Sequence, residues 1–204
     1  FMTDTGGHYL EGSTDITRTV ALGEVGNIEK EHFTLVARAM LRLANTVFLY
    51  GCSGANLDCI AREVFWKEGL NFNHGTGHGV GYLLNIHEGP INFRWKEGER
   101  PAPALEENMV ITDEPGIYIE GSHGIRLENE LLVRKTVKNE YGQFMNFEIL
   151  TYVPIDLDAI LPEKMSTEEK EMLNHYHKQV YEKVSPYLSE EERIWLKEYT
   201  RAVK

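Results

Sequence analysis

The stretch His74-Gly75-Thr76-Gly77-His78-Gly79-Val80-Gly81 constrains this chain more than any other. Four glycines in eight residues exclude an ordinary helix or strand there. They point either to backbone pressed close to another group or to φ > 0 conformations. They also leave the imidazoles of His74 and His78 uncrowded, and they rule out an i,i+4 histidine pair on a helix. A third histidine follows in Asn85-Ile86-His87-Glu88-Gly89-Pro90. A lone histidine is most often a satisfied structural group, but this framing reads as functional.

Around that segment the periodicity is regular. Residues 2–20 read as two extended segments joined by a Gly-containing turn. Phe33, Val36, Ala37, Met40, Ala44 and Val47 recur at helical spacing over roughly five turns. Leu57, Ile60, Ala61, Val64 and Phe65 mark a shorter helix, with Asn56 as its expected N-cap and Gly69 as its stop. Residues 91–107 read as a loop. Strands are expected over 109–112, 117–119, 124–133 and 147–153. From Pro162 the pattern turns helical, with Ser166/Glu169 and Ser189/Glu192 as capping boxes and Leu173, Tyr176, Val180 and Val184 as an apolar stripe. The expected organisation is therefore a main unit over 1–161 and a two-helix C-terminal extension over 162–204.

Composition narrows the function classes. The 204 residues carry a formal net charge of −11, which argues against a nucleic-acid backbone as partner. Residues 162–204 hold nine acidic and eight basic side chains, so nearly all of the excess lies in 1–161. That excess is either a solubility device or a charge offset by bound cations. No apolar run approaches the length of a membrane span, so no membrane partner is expected. Two cysteines form no disulfide framework and fit a reducing, cytoplasmic setting. The chain opens on Phe1, and Asp4 already reads as site chemistry, so it reads as the later part of a longer protein.

Several side chains have the chemistry of ligands. Glu114 ends an apolar strand at Pro115, which forces it extended. Arg126 and Glu128 share one face of an alternating strand. Asp15 shares a face with Thr17 and Thr19, and Asp4 precedes two glycines. Each alone has an ordinary reading as a turn residue or an ion pair. Together, two Asp, two Glu and one His form an oxygen-rich set suited to Mn²⁺, Zn²⁺, Fe²⁺ or Co²⁺. Four carboxylates exceed what one ion needs and suit a pair of ions about 3.5–4 Å apart.

At the level of motifs, the chain resembles the catalytic domain of the metal-dependent aminopeptidase P family, of the pita-bread (creatinase/methionine-aminopeptidase-like) superfamily. The resemblance rests on Asp4-Thr5-Gly6-Gly7 with Ser13 to Thr19, on His74 to Gly81, on Glu114-Pro115-Gly116 and on Gly124 to Asn129. It implies an α+β pita-bread fold: a curved antiparallel sheet with flanking helices, represented by its C-terminal part, followed by the two-helix extension.

The resemblance also implies roles. Asp4 chelates one metal, Asp15 and Glu128 bridge both, and His78 and Glu114 bind the other. Glu114 is in addition the general base for a water held between the metals. His74 and His87 line the substrate pocket, and Arg126 and Tyr118 orient ligands or substrate. The implied cofactors are two divalent ions, Mn²⁺ first, with Zn²⁺ or Co²⁺ as alternatives. The implied reaction is removal of an N-terminal residue that precedes proline, by a homodimer. The superfamily's upstream pocket histidine has no counterpart in these residues, and half of the fold would leave a sheet edge uncovered, so 1–204 alone is expected to associate or aggregate and to turn over poorly.

Three other readings compete. A prolidase-type dipeptidase or a methionine aminopeptidase shares the ligands, but the segment 85–90 and the C-terminal extension favour aminopeptidase P. A non-catalytic pita-bread binding module normally loses ligands, and all five are present. An acidic protein with a merely structural cation site is the third reading, which Mn²⁺-stimulated hydrolysis of an Xaa-Pro peptide would exclude.

Overall fold

The computed structural model describes residues 1–96 and 102–204. The chain starts with an antiparallel hairpin, β1 (Met2–Tyr9) and β2 (Gly12–Thr19), turning through Gly12 at φ +142°. Helix α1 (Asn27–Ala44) and helix α2 (Gly54–Lys67) follow, separated by the short β3 (Phe48–Leu49). Next come β4 (Gly77–Gly79), β5 (Glu88–Phe93), β6 (Val110–Asp113), the hairpin β7 (Gly116–Ile119) and β8 (His123–Arg126), β9 (Asn129–Asn139) and β10 (Gly142–Ile149). Helices α3 (Thr167–Val184) and α4 (Glu190–Tyr199) end the chain.

Six strands form one antiparallel sheet in the order β3-β10-β9-β6-β4-β5, while β1-β2 and β7-β8 form separate ribbons. The sheet is curled, a half-barrel flanked by helices, which is the pita-bread architecture. Helix α1 lies at its centre: Phe33, Val36, Ala37, Met40 and Leu43 are at most 2% exposed and pack with Ile111, Leu131 and Met145 in one core. Val47, expected on the same stripe, lies beyond the helix and is exposed.

Several boundaries differ from the sequence reading. Ser53, not Asn56, caps α2; Asn56 is the third helical residue, and its side chain accepts from the Ser53 N–H at 2.8 Å. Gly69 ends that helix as expected, at φ +69°. Strand β5 runs to Phe93, inside the expected loop 91–107, of which residues 97–101 lie outside the described residues. Residues 124–133 are two strands, because the chain leaves the β7-β8 ribbon at Arg126 and joins the main sheet at Asn129. Residues 147–153 form a strand only to Ile149, and that strand begins earlier, at Gly142, because the polar hairpin after Val133 extends both partners.

Within 74–81, three residues do form a strand, contrary to expectation. The glycines serve close approach and not positive φ. A Cβ on Gly77 would lie 1.8 Å from the Thr112 carbonyl oxygen, and one on Gly79 would lie 2.2 Å from that of Glu88. Only glycine lets β4 fit between β5 and β6.

Both C-terminal capping boxes are present, at Ser166/Glu169 and Ser189/Glu192. The α3 stripe is buried through Leu173, Tyr176 and Val180. The Tyr176 hydroxyl donates to the Val153 carbonyl at 2.7 Å and accepts from Arg18 at 2.8 Å. Arg38 of α1 meets Glu169 of α3 at 3.0 Å. On α4 the buried residue is Leu196; Ile194 and Trp195 are exposed, and Trp195 stacks on Tyr199.

His177, also on α3, is fully buried, and its Nε2 accepts from the Ile155 N–H at 3.0 Å. Burial, reinforced by the charge of Arg18, pushes its pKa down to about 4. The unfolded chain therefore binds more protons between about pH 6.5 and pH 4, and the contribution present above pH 6.5 is lost as pH falls through that window. At about 1.4 kcal/mol per pH unit the full loss is roughly 3 kcal/mol. Urea unfolding between pH 7 and 4.5 should show His177→Gln losing less stability than the parent. Equal losses in the two proteins would contradict a neutral buried imidazole.

Candidate metal centre

The β1-β2 register explains how two of the acids meet. Asp4 lies opposite Thr17, and Asp15 lies opposite Gly6, so Asp4, Thr17 and Asp15 share one face of the ribbon. His78 is the middle residue of β4. Glu114 directly follows β6, and its N–H donates to the Thr76 carbonyl at 2.8 Å, which ties it to the Gly-rich segment. Glu128 sits at the crossing from β8 to β9, where its N–H donates to the Thr17 carbonyl at 3.0 Å.

These five residues line one cavity of 370 Å³ together with His87. Asp15, His78 and Glu128 form its inner group, with one ligand atom from each lying within 4.8 Å of the others. His78 Nε2 is 3.7 Å from Asp15 Oδ2 and 3.2 Å from Glu114 Oε1. Asp4 stands at the open side, its Oδ2 held by Arg126 at 2.6 Å. A second, adjoining cavity of 530 Å³ shares His78, His87 and Glu114 and adds His74, Arg94, Tyr118 and Arg126. The two cavities are lobes of one cleft, and every residue singled out in the sequence for the site lines it.

The donor set fits divalent cations. His78 Nδ1 donates to the Gly79 carbonyl at 3.0 Å, which turns the Nε2 lone pair toward the carboxylates, as a ligating imidazole requires. Without a cation, protons balance the site. Burial raises the Glu128 carboxyl to about 8, with the charges of Glu114 and Asp15 adding to it. Burial and the neighbouring Asp4 also raise Asp15. Burial opposes protonation of His78, but the hydrogen bond and charge of Glu114 with the charge of Asp15 outweigh it, raising His78 to about 9. Carboxylates whose burial and mutual repulsion raise their proton affinity are groups for which a divalent cation competes with protons.

The supporting groups extend what the sequence revealed. Thr17 Oγ1 donates to Glu128 Oε2 at 2.6 Å and accepts from Arg126 Nε at 3.0 Å. Thr112 Oγ1 accepts from the His78 N–H at 3.0 Å and donates to Glu114 Oε1 at 3.1 Å. Arg126 donates to the Tyr118 hydroxyl at 2.9 Å. Neither threonine was assigned a role from sequence; the available signal was position, since Thr17 shares the face of Asp15 and Thr112 lies two residues before Glu114. His74 Nδ1 donates to the Gly75 carbonyl at 2.7 Å, and burial pushes the pKa of the ring below the usual imidazole range. Its Nε2 is buried without a partner among the described residues. The His87 ring meets that of His78 edge-on, with centroids 4.3 Å apart.

The chain is similar to known proteins along its whole length. Residues 1–135 match the profile of metallopeptidase family M24, and residues 143–203 match the C-terminal region of peptidase M24. A probable Xaa-Pro aminopeptidase P from Paracoccidioides brasiliensis is 40% identical over 208 residues, covering all of this chain and 34% of the relative. The corresponding protein of Ajellomyces capsulatus is 41% identical over 209 residues, again covering 34% of its length. The X-prolyl aminopeptidase structure from Caenorhabditis elegans, described as a cytosolic enzyme with a di-nuclear active site, superposes with a TM-score of 0.92 at 37% identity. That match covers 99% of this chain and 33% of the other. An Xaa-Pro dipeptidase from Bacillus anthracis superposes with a TM-score of 0.60 at 34% identity, over 76% of this chain and 40% of its own. The chain thus spans about a third of the length of the curated relatives it matches. With two thirds of its residues under the profile, the chain belongs to metallopeptidase family M24.

Proposed function

We propose that this chain carries the catalytic centre of an Xaa-Pro aminopeptidase, which hydrolyses the bond between an N-terminal residue and a following proline. The observation that carries this reading is the convergence of Asp4, Asp15, His78, Glu114 and Glu128 on one cleft walled by His74 and His87. The runner-up is a prolidase-type dipeptidase; the aminopeptidase reading is favoured because relatives named Xaa-Pro aminopeptidase P match the whole chain, helical tail included. A homodimer in the cytoplasm, with Mn²⁺ as the working metal, completes the proposal.

In this reading Asp4 would hold one ion, His78 and Glu114 the other, and Asp15 and Glu128 would be shared by both. Bound there, the ions would supply a water acidic enough to act near neutral pH and would offset charge developing on the scissile carbonyl oxygen. Glu114 takes the proton of the attacking water and delivers it to the prolyl nitrogen as the C–N bond breaks. That nitrogen carries no hydrogen in the substrate, so the delivered proton is what makes it a leaving amine. Thr112 fixes the Glu114 carboxylate for this transfer. His74, its Nδ1 engaged by Gly75, offers Nε2 as an acceptor for a substrate N–H, and His87 lines the same cleft. Arg126 holds Asp4, Thr17 and Tyr118 in place from one guanidinium.

Two substitutions test the assignment in the whole protein. Glu114→Gln keeps the shape but removes the base and weakens a ligand, so turnover of an Xaa-Pro peptide should fall by at least about 10²-fold at saturating Mn²⁺. Activity retained within tenfold would place the base elsewhere. His87→Ala should lower turnover while the bound metal, counted by plasma emission spectroscopy, stays at the parental stoichiometry. Loss of metal in that variant would make His87 a ligand and undo the assignment.

A further inference from the structure

Arg94 joins the catalytic cleft to a smaller cavity that none of the chemistry above uses. It lines the 530 Å³ lobe and also an adjoining cavity of 210 Å³ walled by Phe72, His74, Trp95 and Lys96. Three observations fix its direction. In the β4-β5 register Asn92 lies opposite His78, so the two share a face, and Arg94, two residues on, shares it too. The Thr76 N–H donates to the Phe93 carbonyl at 2.8 Å, which carries the pairing past the end of β5 to the position of Arg94. The Arg94 stem then lies over Gly75: a Cβ there would be 2.9 Å from Arg94 Cγ and 3.0 Å from Nε. The glycine beside His74 thus makes room for a guanidinium at the edge of the cleft.

The cleft is therefore electrically polar. One lobe carries Asp4, Asp15, Glu114 and Glu128; the other end carries Arg94 and, behind it, Lys96, whose Nζ lies 4.6 Å from the Trp95 ring. Among the described residues neither cation is in an ion pair. A peptide has the same polarity, with an ammonium at one end and a carboxylate at the other. Arg94 is displaced from His78 by two residues along the strand, about 7 Å, and by one strand spacing of about 4.8 Å. Two extended residues span about 7 Å. The α-carboxylate of a peptide with two residues beyond the scissile bond thus falls within reach of the Arg94 side chain.

We propose that Arg94, backed by Lys96, forms an anion subsite that binds a carboxylate of the peptide, first of all the C-terminal carboxylate of a tripeptide such as Xaa-Pro-Xaa. This rests on the aminopeptidase reading and adds a substrate class to it: short free peptides with an intact C-terminus. Arg94 is a specificity-determining residue, and its effect falls on binding.

The test compares Ala-Pro-Ala as free acid, Ala-Pro-Ala amide and Ala-Pro-Glu amide on the metal-loaded whole protein, with Arg94→Gln and Arg94→Lys as variants. The parent should show a KM roughly tenfold lower for the acid than for the amide, the size of one charge-assisted hydrogen bond. Arg94→Gln should close that gap by raising the KM of the acid, and Arg94→Lys should keep part of it. A low KM for Ala-Pro-Glu amide that Arg94→Gln also abolishes would extend the subsite to acidic side chains. Equal KM values for acid and amide in the parent, or a gap that survives Arg94→Gln, would overturn the proposal. If none of the three is cleaved, the aminopeptidase reading falls. Calorimetry of the same acid and amide then decides the subsite alone: tighter binding of the acid, lost in Arg94→Gln, supports it, and equal binding overturns it.

Discussion

Four carboxylates directed into one cleft repel one another, and the rest of the structure is arranged to hold them there. Part of the restraint is backbone. Asp4 and Asp15 are locked into one ribbon, Glu114 is tied to Thr76, and Glu128 is tied to Thr17. Part is side chain, through Thr17, Thr112 and Arg126. Beneath them lies Arg18, only 5% exposed, which donates to the carbonyls of Thr17 and Glu128 at 2.9 and 2.5 Å and to Asn129 Oδ1 at 2.6 Å. A buried guanidinium with its donors engaged stabilises only if every partner stays in place. It therefore couples the ribbon, the Glu128 crossing and, through Tyr176, the helix α3.

That coupling gives the C-terminal helices a direct structural connection to the site. Tyr176 and His177 fasten α3 to residues 153–155, and Asp156 accepts from the Ala21 N–H at 2.8 Å just after β2. The path from α3 to the β1-β2 ribbon is a chain of buried hydrogen bonds, not a surface contact. The match to the Caenorhabditis elegans structure takes in 99% of the chain, tail included.

Much of this was legible in the sequence, for identifiable reasons. Helices α1 and α2 announced themselves by apolar spacing, and both late capping boxes by Ser-x-x-Glu. The candidate ligand residues stood out because each lies at a strand, a strand end or a glycine. What escaped were features set by neighbours distant in sequence. The break between Arg126 and Asn129 is invisible in an alternating pattern, because the chain changes sheets without a turn residue. The role of the glycines in β4 needed the positions of Thr112 and Glu88, and the work of Thr17 and Thr112 needed the partner strands. Ser53 displaced Asn56 as the cap because both residues fit a capping box and only geometry selects between them.

One claim is central: the cluster of carboxylates with His78 is built for a pair of divalent cations, which relieve the burial and mutual repulsion that raise the pKa values of Glu128 and Asp15. Anomalous diffraction at the manganese edge, from crystals of the whole protein grown with Mn²⁺, tests it most directly. The account predicts two peaks within the cleft, both contacted by Asp15 and Glu128, with Asp4 on one and His78 and Glu114 on the other. No peak at saturating Mn²⁺, or peaks outside these five residues, would contradict it.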